Sequence, residues 1–303
     1  MLREVIYCFG AACTCRPCWN QASISGASQC LGLFQSLIEG GKILVNEVIN
    51  ALMSHASIRR FTDQDVPDEL IEQIARAGQQ APFTGQMYAC IYTKDQVKRE
   101  QVSKLFGPLI MRGPVFMLFC LDFRKLEKFI ASKGRQNTAS DAMMLFLGIQ
   151  DVAYFGQNMV LAAESLGLGT VFLGSAPNLD TELREIFRLP ERVYPVVGMV
   201  LGYPAEQPSP RPRIPTKFVL HKDEYFDLTP SDVDEALSVM DAGLIREGYY
   251  SRMNSKIQKP EVGEDQVGYD KYGWGEHISR KYARRGQFTD SLLDDLRRAG
   301  IRL

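Results

Sequence analysis

Ser54-His55-Ala56-Ser57-Ile58-Arg59-Arg60-Phe61-Thr62-Asp63 is the stretch around which this chain is organised. It closes a segment in which Val45, Val48, Ile49 and Leu52 recur at helical spacing, so a helix is predicted to end here. Beyond that end, an imidazole, a hydroxyl and two guanidiniums fall within six residues. In an extended chain, side chains two positions apart share a side, so Ser57 and Arg59 can face one ligand. Hydroxyl, imidazole and guanidinium groups all donate to phosphate oxygens, and a second fixed guanidinium can meet a second negative centre. Ser-x-Arg arises often by chance and most arginines are solvated, so a surface turn is the competing reading of this stretch alone.

Working outward, Asp63 to Pro67 read as a turn, and Pro67 opens a second helix with Leu70, Ile71, Ile74 and Ala77 on one face. Ala81-Pro82-Phe83-Thr84-Gly85-Gln86 is a loop of breakers and hydrogen-bonding side chains. Tyr88 to Thr93 are predicted as a strand, Lys94 to Leu105 as a helix and Val115 to Leu121 as a buried strand. Ala142 to Leu168 read as the longest helix, apolar nearly all round, as in a large core or at a subunit interface. Glycines then stop it at Gly167 and Gly169. Thr170 to Ser175 form a strand running into a tight turn, Asp180 to Phe187 a helix, and Val196 to Leu201 another strand. Prolines hold Pro208 to Pro215 extended, so that Arg211 and Arg213 point the same way. That pair reads as an anion clamp or as a solvated basic linker. Ser231 to Leu303 are helical in pieces around the polar loop Lys256 to Gly273.

The totals set the limits. With 303 residues, 45% of them apolar, the chain can bury a large core. A net charge of −1 argues against a dedicated nucleic-acid binder and gives no pull toward anionic membranes. No apolar run approaches the ~20 residues that span a bilayer. Five of the seven cysteines, Cys8, Cys13, Cys15, Cys18 and Cys30, lie in the first thirty residues, yet no second Cys-x-x-Cys or nearby histidine completes a metal site. Residues 1–42 therefore read as a poorly ordered extension ahead of a single domain over 43–303. Cys90 and Cys120 sit in strand-like runs and read as buried thiols of a reducing, cytoplasmic compartment. His55, His221 and His277 share no metal-ligand spacing, and no Walker loop, Rossmann fingerprint or Gly-x-Ser-x-Gly appears in a suitable context. Several separated anion- and ring-binding segments without a catalytic relay suit an enzyme whose chemistry a cofactor carries.

His55 to Thr62, Ala81 to Gln86, Ala162-Ala163-Glu164-Ser165-Leu166-Gly167-Leu168-Gly169 and Arg211-Pro212-Arg213-Ile214-Pro215 occur in the order seen in FMN-dependent nitroreductases. From Ile43 onward the chain resembles their NADPH-dependent branch, the oxygen-insensitive nitroreductases and flavin reductases. The resemblance implies an α+β fold with a central, mostly antiparallel sheet flanked by helices, and a homodimer with FMN at its interface. It implies an NAD(P)H oxidoreductase that reduces nitroaromatics, quinones or free flavin by ping-pong hydride transfer through flavin N5. Another flavin chemistry on this fold, such as dehalogenation or ene reduction, and a non-catalytic flavin-binding protein are the alternatives. Carried over by residue, His55 and Ser57 hold the FMN phosphate, Arg211 and Arg213 close on it, and Arg59 faces the N1/O2 edge. Phe83, Thr84 and Gln86 lie in a loop that offers side chains to the cofactor, with Phe83 replacing a usual Ser. Leu173, Gly174 and Ser175 match a turn whose backbone meets the ring near N5. Arg252 and Lys256 resemble residues that hold the NADPH 2′-phosphate. The glutamine usual near the ring has no clear match around Gly107-Pro108-Leu109.

Overall fold

The computed structural model describes residues 46–259, 265–283 and 291–303. Residues 1–50 and 51–303 form separate compact units. Of the first, residues 46–50 are described, and they begin α1 (Glu47–Ser54). Asn46 Oδ1 accepts from Ile49 N at 2.9 Å and so satisfies a donor of the first turn. The extension expected over 1–42, with its five cysteines, lies outside the described residues.

In the second unit, α2 (Asp68–Gly78), β1 (Tyr88–Thr93), α3 (Gln96–Phe106), β2 (Val115–Asp122) and α4 (Phe123–Ala131) come first. Next are α5 (Asp141–Ser165), β3 (Gly169–Leu173), α6 (Asp180–Phe187) and β4 (Val193–Gly202). A helical group follows: α7 (Pro230–Arg246), α8 (Tyr249–Arg252), α9 (Trp274–Ala283) and α10 (Ser291–Arg298). The strands lie in the order β1-β2-β4-β3, and every neighbouring pair is antiparallel. The expected α+β architecture is therefore present. No helix among the described residues is long and apolar enough to cross a membrane.

β2, VFMLFCLD, is buried on both faces, so its period of two feeds two cores. Met117 and Phe119 meet Val152, Phe155 and Met159 of α5 together with Ile71 and Ile74 of α2. Phe116, Leu118 and Cys120 meet Val102, Leu183 and Ile58 on the other side. Helices thus cover both faces of the sheet.

α5 sits close to this sheet. A Cβ on Gly148 would lie 2.2 Å from Leu121 Cδ1, so any larger residue there requires Leu121 to shift. α5 also carries Asp151, 1% exposed, whose carboxylate accepts the N–H groups of Thr84 (2.6 Å), Gly85 (3.0 Å) and Met87 (3.0 Å). This buried charge fixes the loop before β1 to the long helix. The opposite side of α5 is not covered by the described residues: Met143, Phe146, Ile149 and Tyr154 are exposed.

Two of the boundaries that differ from the sequence-based expectation have a visible local cause. α3 starts at Gln96 rather than Lys94, because Asp95 takes the cap position and accepts from Lys98 N at 2.8 Å. β4 starts at Val193 rather than Val196. Pro195 sits at the register shift opposite Phe119/Cys120, beyond the residues that β3 pairs, so its missing donor falls where the ladder is already interrupted.

The helical group has its own small core of Met240, Leu244, Tyr250 and Tyr272. Arg280 is buried there between Asp265 (2.6 Å) and Glu276 (2.6 Å), and Asp265 also pairs with Lys256 at 2.9 Å. His277 bonds to Tyr272 Oη at 3.2 Å and stacks on Tyr250, so it is a packed structural histidine.

Asp151→Ala would leave three donors without their acceptor. We expect a loss of about 3 kcal/mol in denaturant unfolding. A loss below about 1 kcal/mol would show that water replaces the carboxylate at little cost.

Candidate anion-binding cleft

After α1 the chain leaves the helix and runs extended beside the sheet. Ile58 N donates to Thr170 O at 2.9 Å, Thr62 N to Tyr203 O at 2.9 Å, and Phe61 bridges Pro204. Gly169 permits the approach, since a Cβ there would lie 2.5 Å from Ile58 Cγ1. Ile58 is buried under this segment, while Ser57 and Arg59 both turn to a cleft of about 630 Å³. The alternation expected of an extended chain is what separates them.

The opposite wall comes from two later segments. After β4, Glu206, Gln207, Pro208, Ser209 and Arg211 line the cleft; Tyr249, Arg252 and Met253 come from α8 and its end. Arg211 Nη2 donates to Tyr249 Oη at 2.6 Å, with its Cζ 4.2 Å from the ring centroid; Arg59 Cζ lies 6.0 Å from the same centroid. Tyr249 thus accommodates two cations on one ring. A second cavity of about 280 Å³ shares Ser57, Arg211 and Tyr249 with the first and adds His55, Arg213 and Trp274.

Glu206 ties the two walls together. Its Oε1 accepts the N–H groups of Arg59 (2.6 Å) and Arg60 (3.0 Å), and its Oε2 accepts from Arg60 Nε (3.1 Å). Burial alone would raise this carboxyl, but these hydrogen bonds hold it below its ordinary value. Burial lowers the Arg59 guanidinium pKa and Arg211 adds to that, with Tyr249 and Glu206 acting against them. His55 Nδ1 meets Glu164 Oε1 at 2.5 Å. A neutral imidazole donating from Nδ1 keeps only a lone pair at Nε2, so donation from Nε2 to an anion requires a second ring proton.

Within one chain the expected residues fall into two groups. His55, Ser57, Arg59, Arg211, Arg213 and Arg252 line the two cavities. Arg213 is exposed and curls back onto the carbonyls of Arg211 and Pro212. Phe83, Thr84, Gln86, Leu173, Gly174 and Ser175 line neither cavity. Phe83 is exposed, in the loop tethered to α5, and Leu173 to Ser175 end β3. Lys256 is held by Asp265 and by Val267 O and does not line the cleft. Glu206, Tyr249 and Arg112 escaped sequence reading. A single acid just ahead of an Arg-Pro run, and a Tyr pair after Gly248, were the available signals.

The Nitroreductase family model matches residues 52–94 and 91–203. The chain is 32% identical over 246 residues to an FMN reductase [NAD(P)H] of Bacillus subtilis, covering 79% of this chain and 92% of that protein. It is 34% identical over 241 residues to an oxygen-insensitive NADPH nitroreductase of Salmonella typhimurium, covering 78% and 91%. Among solved structures, the NADPH:FMN oxidoreductase from Vibrio harveyi complexed with NAD+ matches with a TM-score of 0.68 and 26% identity, over 84% of this chain and 98% of that one. This chain belongs to the nitroreductase family.

Glu206→Gln keeps an oxygen for the two main-chain donors and removes one negative charge from the cleft. Titration calorimetry with inorganic pyrophosphate should then show about threefold tighter binding. An unchanged affinity would mean that Glu206 does not set the cleft's charge.

Proposed function

We propose that this protein is an FMN-dependent NAD(P)H oxidoreductase. It would work as a cytoplasmic homodimer that passes electrons by a ping-pong route to nitroaromatics, quinones or free flavin. The observation that carries this reading is the meeting of Ser57, Arg59 and Arg211 in one cleft of a nitroreductase-family chain.

The donor set fits the phosphate. Ser57, His55, Arg211 and Arg213 surround the smaller cavity, and among the described residues the side-chain partner of Arg211 is a neutral tyrosine rather than a carboxylate. A charge-assisted bond is therefore open to an anion. When bound, FMN would supply the hydride chemistry of both half-reactions. The protein's part is position and electrostatics. Arg59 is half-buried and its main-chain N–H is held by Glu206, so its cation is placed before negative charge develops near it. Arg252 also lines the cleft and would suit the phosphate of NADPH. No side chain of this set has to move a proton; solvent supplies protons.

Phe83, Thr84, Gln86 and Leu173 to Ser175 would complete the site from the ring side. A Cβ on Gly174 would meet nothing within 4 Å, so that turn is open to a ring. Pairing two copies on α5 supports the same view. The exposed Met143, Phe146, Ile149 and Tyr154 need a cover, and Asp151 attaches the Thr84 to Met87 loop to that very helix.

The purified protein should be yellow, and NADPH should be oxidised when a nitroaromatic or quinone is present. Arg211→Ala should weaken FMN retention by about 1.5–3 kcal/mol, and Arg59→Ala should slow flavin reduction more than it lowers stability. Colourless protein that ignores added FMN overturns the proposal. Bound FMN that NADPH never bleaches points instead to flavin storage.

A further inference from the structure

The proposed function assigns three of the arginines on the wall of the large cleft and leaves the rest of that wall without a task. Five guanidiniums line it, those of Arg59, Arg60, Arg112, Arg211 and Arg252, against the carboxylates of Glu206 and Glu247. Arg59 and Arg211 are engaged with Tyr249, and Arg60 with Glu206. Arg112 differs. It ends the short 3-10 turn Pro108–Arg112, is exposed, and makes no ion pair or hydrogen bond with the described residues. The turn is fixed from behind, because Arg99 Nη2 donates to Gly113 O at 2.5 Å and Ile110 is buried. A cation without a partner among the described residues thus stands on a braced turn that lines a cleft with net positive charge. Such a cleft raises the local concentration of anions and favours ligands that place a negative group there.

We propose that this wall makes the enzyme selective for anionic electron acceptors, with Arg112 as the specificity residue. The acceptors are aromatic nitro compounds or quinones that carry a carboxylate, sulfonate or phosphate. The inference rests on the oxidoreductase reading above and adds the class of acceptor. For a nitro acceptor the balance is simple. NADPH gives a hydride, two electrons and one proton, and leaves as NADP+. Solvent gives the second proton, one N–O bond of the nitro group breaks, its oxygen leaves as water, and the nitroso compound remains. Arg112 takes no part in these bond changes; it holds the acceptor's remote anion so that the nitro group points inward.

The test uses the FMN-loaded enzyme and two acceptors of near-equal shape, para-nitrobenzoate and para-nitrobenzamide. The readout is the ratio of their kcat/KM values at low ionic strength, which cancels general losses of activity. Arg112→Gln should lower the benzoate-to-benzamide ratio about fivefold, and Arg112→Glu should lower it further, while Arg112→Lys retains most of it. High salt should compress the wild-type ratio toward that of Arg112→Gln. A ratio that neither charge removal, charge reversal nor salt alters overturns the inference. Menadione, a neutral quinone, separates the two levels of reading. If NADPH oxidation with menadione proceeds but the ratio is indifferent to residue 112, only the acceptor class falls; if menadione is not reduced either, the oxidoreductase reading falls with it.

Discussion

Guanidiniums repel one another, and this cleft gathers five of them. Two unit charges about 6 Å apart cost roughly 3 kcal/mol at the effective dielectric of a protein surface. The chain meets that cost in three ways. Glu206 sits between the main-chain donors of Arg59 and Arg60 and pairs with Arg60. The electron-rich ring of Tyr249 faces Arg59 and Arg211. Arg60, Arg112 and Arg252 keep their heads in water. Backbone pairing of the Ile58 and Thr62 amides with Thr170 and Tyr203 holds the arrangement rigid. Repulsion that remains is a reserve that an anionic ligand releases on binding.

The sheet and α5 make that arrangement possible. Gly169 lets the Ile58 segment lie against β3, and Gly148 lets α5 lie against β2. Asp151 then extends the order of α5 into the loop ahead of β1. The helical group after β4 delivers Tyr249 and Arg252 to the cleft and is itself stapled by Arg280 and Asp265. Hydrogen bonds from Arg280 and Lys256 hold the Asp265 carboxyl well below the usual carboxylate range, so the contribution of that staple is present at neutral pH and fades as pH falls through and below that range.

A nitroreductase-family chain that assembles donors for an anion in one cleft is suited to lending geometry and charge to a redox cofactor. The phosphate side of the proposed site is built within one chain. The ring side would be completed by the proposed pairing, which the exposed apolar residues of α5 support.

Much of the fold was legible because it depends on local periodicity. The strand Tyr88–Thr93 and the helix Asp180–Phe187 stand where the pattern of residues placed them. The three main-chain donors that Asp151 holds were not legible in the order of residues. What the amino-acid order determined alone was therefore the elements, the anion-seeking residue types and the extended run that turns Ser57 and Arg59 one way. Tertiary structure decided which cations share a cleft, since Glu206 reaches Arg59 across 147 positions and Arg211 reaches Tyr249 across 38. It also decided that Lys256 serves Asp265 and that Arg112 lines the cleft. The physical reason is that periodicity and capping act over a few residues, whereas charge pairing and burial depend on distances that only the folded chain sets.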